Sequence, residues 1–181
     1  MKRQTSNAKT GSLMKRIALL SDTHGYLDDA ILRFLEECDE IWHAGDIGSL
    51  EVADRLRAVK PLRAVYGNID DAGLRREFPR DQRFNCEGLD VWMTHIGGYP
   101  GRYQKRIRET LKDNPPGLFI SGHSHILKVM PDKKHGLLHI NPGACGQHGF
   151  HQVRTMVRFT IEKGRVKDLE VVELGRRGKI S

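Results

Sequence analysis

The stretch Arg16-Ile17-Ala18-Leu19-Leu20-Ser21-Asp22-Thr23-His24-Gly25 decides the fold. A short apolar run ends in a polar turn, which leads into Leu27 to Glu37, where Ala30, Ile31, Phe34 and Leu35 share one helical face. The same unit repeats at once. Glu40 to His43 reads as a strand, Ala44 to Ser49 as a turn, and residues 50 to 60 as a helix with Val52, Ala53, Leu56 and Val59 at helical spacing. Pro61 stops that helix before a third strand, Leu62 to Tyr66. Strand, helix, strand, helix, strand is the pattern of a parallel sheet with crossover helices.

Beyond Gly67 the rhythm changes. Phe84 to Glu87 and Leu89 to Thr94 flank a Gly88 turn, and a basic helix around Tyr103 to Asp113 ends at Pro115-Pro116-Gly117, before a short buried strand at Leu118 to Ser121. The remainder reads as antiparallel strands at Leu127 to Pro131, Leu137 to Asn141, Thr155 to Glu162 and Val166 to Glu173, the last two around Lys163-Gly164. A parallel half and an antiparallel half each need a second apolar face. The expected architecture is therefore α/β, a four-layer αββα sandwich of two mixed β-sheets flanked by helices. Residues 14–175 form the expected single domain, with 1–13 a disordered polar extension and 176–181 a basic tail.

A chain of 181 residues suits one domain. No apolar run approaches the roughly 20 residues of a bilayer span, and residues 1–13 lack the apolar segment of a secretory signal. Cys38, Cys86 and Cys145 are odd in number and widely spaced, so neither a disulfide framework nor a zinc ribbon is indicated, and a reducing cytoplasm is the expected location. The formal charge is +7, but eight cations sit in residues 1–16 and 175–181 without an acid, which leaves the rest of the chain at −1. Solvated termini explain that excess more simply than a nucleic-acid surface.

The chemistry gathers where the strands end. Asp22 and His24 in SDTHG, Asp46 in AGDIG, Asn68 in YGNID, His95 in MTHIG, and His123 and His125 in SGHSH each follow a strand-like run. In open α/β sheets the carboxyl ends of strands line the ligand crevice. Asp22/His24 and His123/His125 are i, i+2 pairs, whose side chains in extended backbone point to one face about 6 to 7 Å apart. Two carboxylates, one amide and four imidazoles form a mixed N/O set suited to two divalent ions, manganese foremost, with iron, zinc or nickel as alternatives. Asp46, alone among small residues, is the natural bridging ligand. Taken singly, Asp22 also suits a helix cap, Asn68 a turn, and His24 or His95 a hydrogen-bonded loop. The ordered series is what points to a metal site.

That series, D-x-H, GD, GN, TH and GH-x-H, resembles the calcineurin-like metallophosphoesterase superfamily, in its compact microbial phosphodiesterase branch, over about residues 14–175. The resemblance implies the αββα fold, one ion held by Asp22, His24, Asp46 and His125, and another by Asp46, Asn68, His95 and His123. It further implies hydrolysis of a small-molecule phosphodiester by a hydroxide bridging the ions, with Asp46, Asn68 and His95 as the catalytic positions. Two departures stand out. Many relatives carry GNHE, whose histidine protonates the leaving group, whereas this chain has Gly67-Asn68-Ile69-Asp70, the form of the diesterase branch. A histidine two positions after the TH motif is replaced by Gly97 in HIGGYPGRY, where Tyr99, Arg102 or Tyr103 would supply the substrate contact. Asp70 and His148, the latter in an NPG loop, are further candidate contacts. Asp70 or His43 could also orient the imidazoles, against simpler readings as a turn acid and a packed core histidine. His139, in a strand, reads as structural.

The alternatives are a non-catalytic interaction scaffold like the retromer-subunit branch, and a nuclease guided by the basic helix of Arg102, Lys105, Arg106, Arg108 and Lys112. No membrane partner is expected, and an exposed apolar sheet face would point to a homodimer.

Overall fold

A computed structural model describes residues 14–178. In chain order the first half holds β1 (Met14–Leu20), α1 (Asp29–Glu36), β2 (Glu40–His43), α2 (Leu50–Val59), β3 (Leu62–Ala64), α3 (Ala72–Glu77), β4 (Asp81–Cys86) and β5 (Leu89–Thr94). The second half holds α4 (Lys105–Asp113), β6 (Leu118–Ile120), β7 (Leu127–Asp132), β8 (Leu137–Pro142), β9 (Val153–Glu162) and β10 (Arg165–Arg176). Side chains start the first three helices. Asp28, Ser49 and Asp71 each accept the backbone N–H three residues on, from Ile31 (2.9 Å), Val52 (3.3 Å) and Leu74 (2.9 Å).

The strands form two five-stranded sheets, ordered β10-β9-β1-β2-β3 and β4-β5-β6-β8-β7. Three apolar clusters glue four layers. Ile31 and Leu35 of α1 and Val52 and Leu56 of α2 pack on the outer face of the first sheet. Ile17, Leu19, Trp42 and Phe159 face Val91, Met93, Ile120 and Ile140 between the sheets, and Ile107 and Leu111 of α4 cover Trp92 and Phe119 on the far side. Each cluster is the interface of adjacent layers, so the αββα sandwich expected from the strand pattern is the architecture.

The two mixed sheets are as expected too, but their strands are not split into a parallel and an antiparallel half along the chain. Each sheet is mixed: β1, β2 and β3 run parallel, but β9 pairs antiparallel with β1 and carries β10 with it. In the second sheet β8 runs parallel to β6, while β4 and β7 are antiparallel edges. Alternation of apolar residues marks a buried face but does not name the strand alongside. The short α3, with Leu74 as its one buried residue, lies in a stretch without apolar periodicity.

Residues 1–13 lie outside the described part. Lys15 and Arg16 belong to β1, and order continues past residue 175: Arg176 is in β10, and Arg177 donates through Nε to His151 O (3.0 Å). The basic tail therefore begins as part of the domain. No described helix is long and apolar enough to cross a membrane.

Candidate metal centre

The carboxyl ends of β1, β2 and β3 in one sheet and of β5 and β6 in the other meet at one edge of the sandwich. Asp22 N–H donates to Gly45 O (3.0 Å) and His24 N–H to Asp46 O (3.0 Å), which zips together the loops after β1 and β2. Across the sheets, His123 N–H donates to Asp22 Oδ2 (3.2 Å), which also accepts Ser21 Oγ (2.6 Å).

Backbone conformation singles out the same residues. Among the described residues eight that are not glycine have positive φ, and five of them are expected ligands: Asp22 (56°), His24 (47°), Asp46 (55°), His123 (68°) and His125 (58°). Of the other three, Glu87 and Lys163 are turn residues and Asp168 sits at a bulge in β10. Left-handed backbone costs a side chain of order 1 kcal/mol and persists where surrounding structure imposes it, typically at functional sites. A side chain on Gly67 would collide with the Asp46 carboxylate, so this approach requires glycine.

Two groups of ligand atoms result, each within 4.8 Å: Asp22, His24 and His125, and Asp46, His95 and His123. Asp46 spans them, with Oδ1 3.2 Å from His95 Nε2 and Oδ2 3.5 Å from His24 Nε2. Asn68 Oδ1 lies 3.1 Å from His95 Nε2, which joins it to the second group.

The donors fit a cation. His95 donates its Nδ1–H to Ala44 O (2.8 Å), so Nε2 turns a lone pair, or an added proton, toward the oxygens of Asp46 and Asn68. His24 Nε2 is buried without a hydrogen-bond partner, and the buried Asp22 Oδ1 has only the ring nitrogen of His125 near it, at 3.1 Å and out of hydrogen-bond geometry. Such atoms cost free energy unless something binds them. Burial works against charge on the fully buried Asp22, but His125 and His24 beside it outweigh burial and hold its carboxyl well below the usual range. Burial likewise opposes charge on Asp46 and His95, and their mutual contact overcomes it, lowering one and raising the other. Converging acceptors, ionised carboxylates and lone pairs with few protons are a donor set suited to divalent metal.

His43 and Asp70 serve the frame. Gly45 N–H donates to His43 Nδ1 (3.1 Å), which places the proton on Nε2; Nε2–H then donates to Thr23 Oγ1 (2.9 Å), and Thr23 to Ile47 O (2.8 Å). Burial pushes this imidazole down to about 4, so it stays neutral. Asp70, expected among the substrate contacts, is 3% exposed and accepts three backbone N–H groups, from Gly67 (2.7 Å), Gly48 (2.8 Å) and Ile47 (3.2 Å). Its oxygens face inward to clasp the loops after β2 and β3, away from any substrate.

A cleft of about 530 Å³ opens over His24, Asp46, Asn68, His123 and His125, and His148 lines it with its ring 4.9 Å from that of His24. Tyr99 and Arg102 line a neighbouring cavity of about 330 Å³ that shares His123 with the cleft, and Lys128 stacks over Tyr99 (3.6 Å). Tyr103, the other candidate, is turned away: its hydroxyl donates to Asp132 (2.9 Å) under α4. Gly97 is a packing requirement, since a Cβ there would meet the Phe119 ring at 2.6 Å. His151 was not among the expected residues. It lines the cleft with its ring 5.2 Å from His125 and donates Nε2–H to Gly146 O (3.0 Å). The spacing His148-x-x-His151 was its available signal.

Comparison with known proteins agrees with this geometry. The chain is 28% identical over 136 residues to a probable metallophosphoesterase of Methanothermobacter thermautotrophicus, covering 71% of this chain and 76% of the relative. Among solved structures it superposes on a novel archaeal phosphodiesterase (TM-score 0.67, 21% identity, 88% and 99% of the two chains) and on vacuolar protein sorting 29 of Entamoeba histolytica (0.65, 16%, 88% and 99%). At those identities the two structures establish the fold alone. Residues 14–164 match the profile of the calcineurin-like phosphoesterase superfamily domain, and the chain belongs to that superfamily.

Proposed function

We propose that the protein is a divalent-metal-dependent phosphodiesterase acting on a small organic phosphodiester. The observation that carries this reading is the pair of ligand groups on one cleft, spanned by Asp46, with Asp22 Oδ1 and His24 Nε2 buried and without a hydrogen bond. Asp22, His24, Asp46 and His125 would hold one ion, and Asp46, Asn68, His95 and His123 the other. When bound, such ions supply Lewis-acid charge for the phosphoryl oxygens and acidify water. The chain's own residues do the rest. Asp46 keeps the two sites in register, the Ala44 carbonyl fixes the tautomer of His95, and Asn68 presents its amide oxygen beside it.

Diesters are favoured by what the cleft lacks. Ile69, exposed at its wall, has no proton to give, so esters whose leaving group departs as a stable anion suit the site best. His148, Tyr99 and Arg102 are the proposed substrate contacts. The basic helix does not favour a nuclease, because Arg106 is paired with Asp81 (2.9 Å) and Lys105 faces Glu109 (3.9 Å). One feature favours a second reading, a protein-binding scaffold: Ile69, Ile126 and Phe150 expose apolar surface along the cleft.

Hydrolysis of bis-p-nitrophenyl phosphate and p-nitrophenyl phosphate, with Mn²⁺, with zinc and with chelator, decides between them. Metal-dependent turnover of the diester above the monoester is expected. A folded protein inert with every ion would leave the scaffold.

A further inference from the structure

A third cavity, of about 240 Å³, opens beside Asn68 and His95. Arg75, Arg80 and Arg106 line it with Tyr66 and Thr94, and no carboxylate lines it. Two of the three guanidinium groups are set in place. Arg75 donates through Nε to Asp70 O (2.7 Å) and through Nη2 to Asn68 O (2.9 Å), and it lies 5.0 Å over the Tyr66 ring. Arg106 donates to Asp81 Oδ1 (2.9 Å) and to Thr94 Oγ1 (2.7 Å). Among the described residues no side chain pairs with the exposed Arg80 guanidinium, and no carboxylate pairs with Arg75.

This charge is not a by-product of a basic chain. Away from the termini the formal charge is −1, yet three cations share one small cavity and only Arg106 has an acid beside it. Neighbouring like charges repel, and the arrangement is unfavourable until an anion completes it. Guanidinium forks match the paired oxygens of carboxylate and phosphate, and anchoring the forks beforehand lowers the entropy lost on binding.

We propose, resting on the phosphodiesterase reading, that this cavity receives a second anionic group, a carboxylate or a phosphate, carried on one alcohol substituent of the diester. The scissile phosphate would lie in the main cleft, which shares Asn68 with the cavity. The substrate class is then a phosphodiester with a further negative charge on one arm.

Three p-nitrophenyl diesters test it, alike in leaving group and differing in the second arm: phenyl, 4-carboxyphenyl and 4-phosphonophenyl. At low salt kcat/KM is expected to be about tenfold higher for a charged arm, the scale of one hydrogen bond to a charged group. Arg80→Ala should bring the charged arms down to the phenyl level, and Arg80→Lys should restore part of the gap. The relative rates of the carboxylate and phosphonate arms tell the two anions apart. Equal rates for all arms in the unaltered protein, or a loss in Arg80→Ala shared by every arm, would overturn the proposal. A readout free of turnover separates this from failure of the diesterase reading. In the presence of chelator, phenylphosphonate should shift the NMR signals of the Arg75 and Arg80 Nε groups, and Arg80→Ala should weaken the shift at Arg75. No shift would sink the anion site even in an active enzyme. Shifts without turnover on any arm would keep the anion site and remove the diesterase reading.

Discussion

Three parallel strands begin and end with charged or polar side chains, and the two ends are treated in opposite ways. At the start of β1, β2 and β3 stand Lys15, Glu40 and Arg63. Glu40 is buried, but Oε1 accepts from Arg63 Nε (2.9 Å) and Trp42 Nε1 (3.0 Å), and Oε2 from Lys15 Nζ (3.1 Å). Every oxygen is matched and the backbone is relaxed. Past the far ends of the same strands stand Asp22, His24, Asp46 and Asn68, with left-handed backbone at the first three and buried atoms without partners. A buried charge that is fully matched belongs to the fold. A buried charge left open, on strained backbone, is held for something else.

Substitutions at the two ends should therefore separate activity from stability. Asp46→Asn should lower metal-dependent diester hydrolysis roughly 10³-fold or more, because a bound metal's charge stabilisation is worth several kcal/mol. The same variant without metal should melt within a few degrees of the unaltered protein; a large loss of stability would break the contrast. Glu40→Ala should do the reverse. It leaves Lys15 and Arg63 unpaired, at a cost of about 3 kcal/mol, the lower end for a broken buried pair because both partners retain some solvent. Chemical denaturation measures that, and turnover per folded molecule should hold.

Metal sharpens the contrast further. Saturating Mn²⁺ or zinc at about 100 times Kd should stabilise the protein by about 2.7 kcal/mol per ion. In a thermal melt the gain should persist in Glu40→Ala and shrink in Asp46→Asn. The smallest effect is on pH. Burial raises the Glu40 carboxyl, but Arg63, Lys15 and Trp42 outweigh it and hold it below its ordinary 4.5. A carboxyl lowered on folding stabilises above the unfolded value, and this contribution fades as pH falls through the folded one. Stability should thus decline below pH 4.5 with a shallower slope in Glu40→Gln, read from melts between pH 3 and 6.

Much of the site was legible because its residues interrupt strong local patterns. Asp22, Asp46, Asn68, His95, His123 and His125 each follow a run whose apolar residues announce a strand, and the crossover rule brings such ends together. Asp70 was misread as a substrate contact, since nothing local shows that a carboxylate three residues past Gly67 will meet the N–H groups of Ile47 and Gly48. His151 escaped for a related reason: its loop returns to the site through long-range contacts, including Arg177 from the end of the chain. The ten strands were readable, as were partners joined by a short turn or a crossover helix, such as β4 with β5, β9 with β10 and β1 with β2; the long-range partners were not. That β9 lies against β1 follows from packing Val157, Phe159 and Ile161 beside Ile17 and Leu19, which no window of sequence contains.

The hydrogen bond from His123 N–H to Asp22 Oδ2 joins residues 101 apart and ties one sheet to the other. Contacts so distant in sequence carry the entropy of closing a long loop and form late in folding. Neither ligand group exists until both sheets have formed and docked, because each draws residues from both. Uptake of metal would therefore mark the completion of folding, and a chain still on the ribosome, with β6 unmade, would have no site to misload.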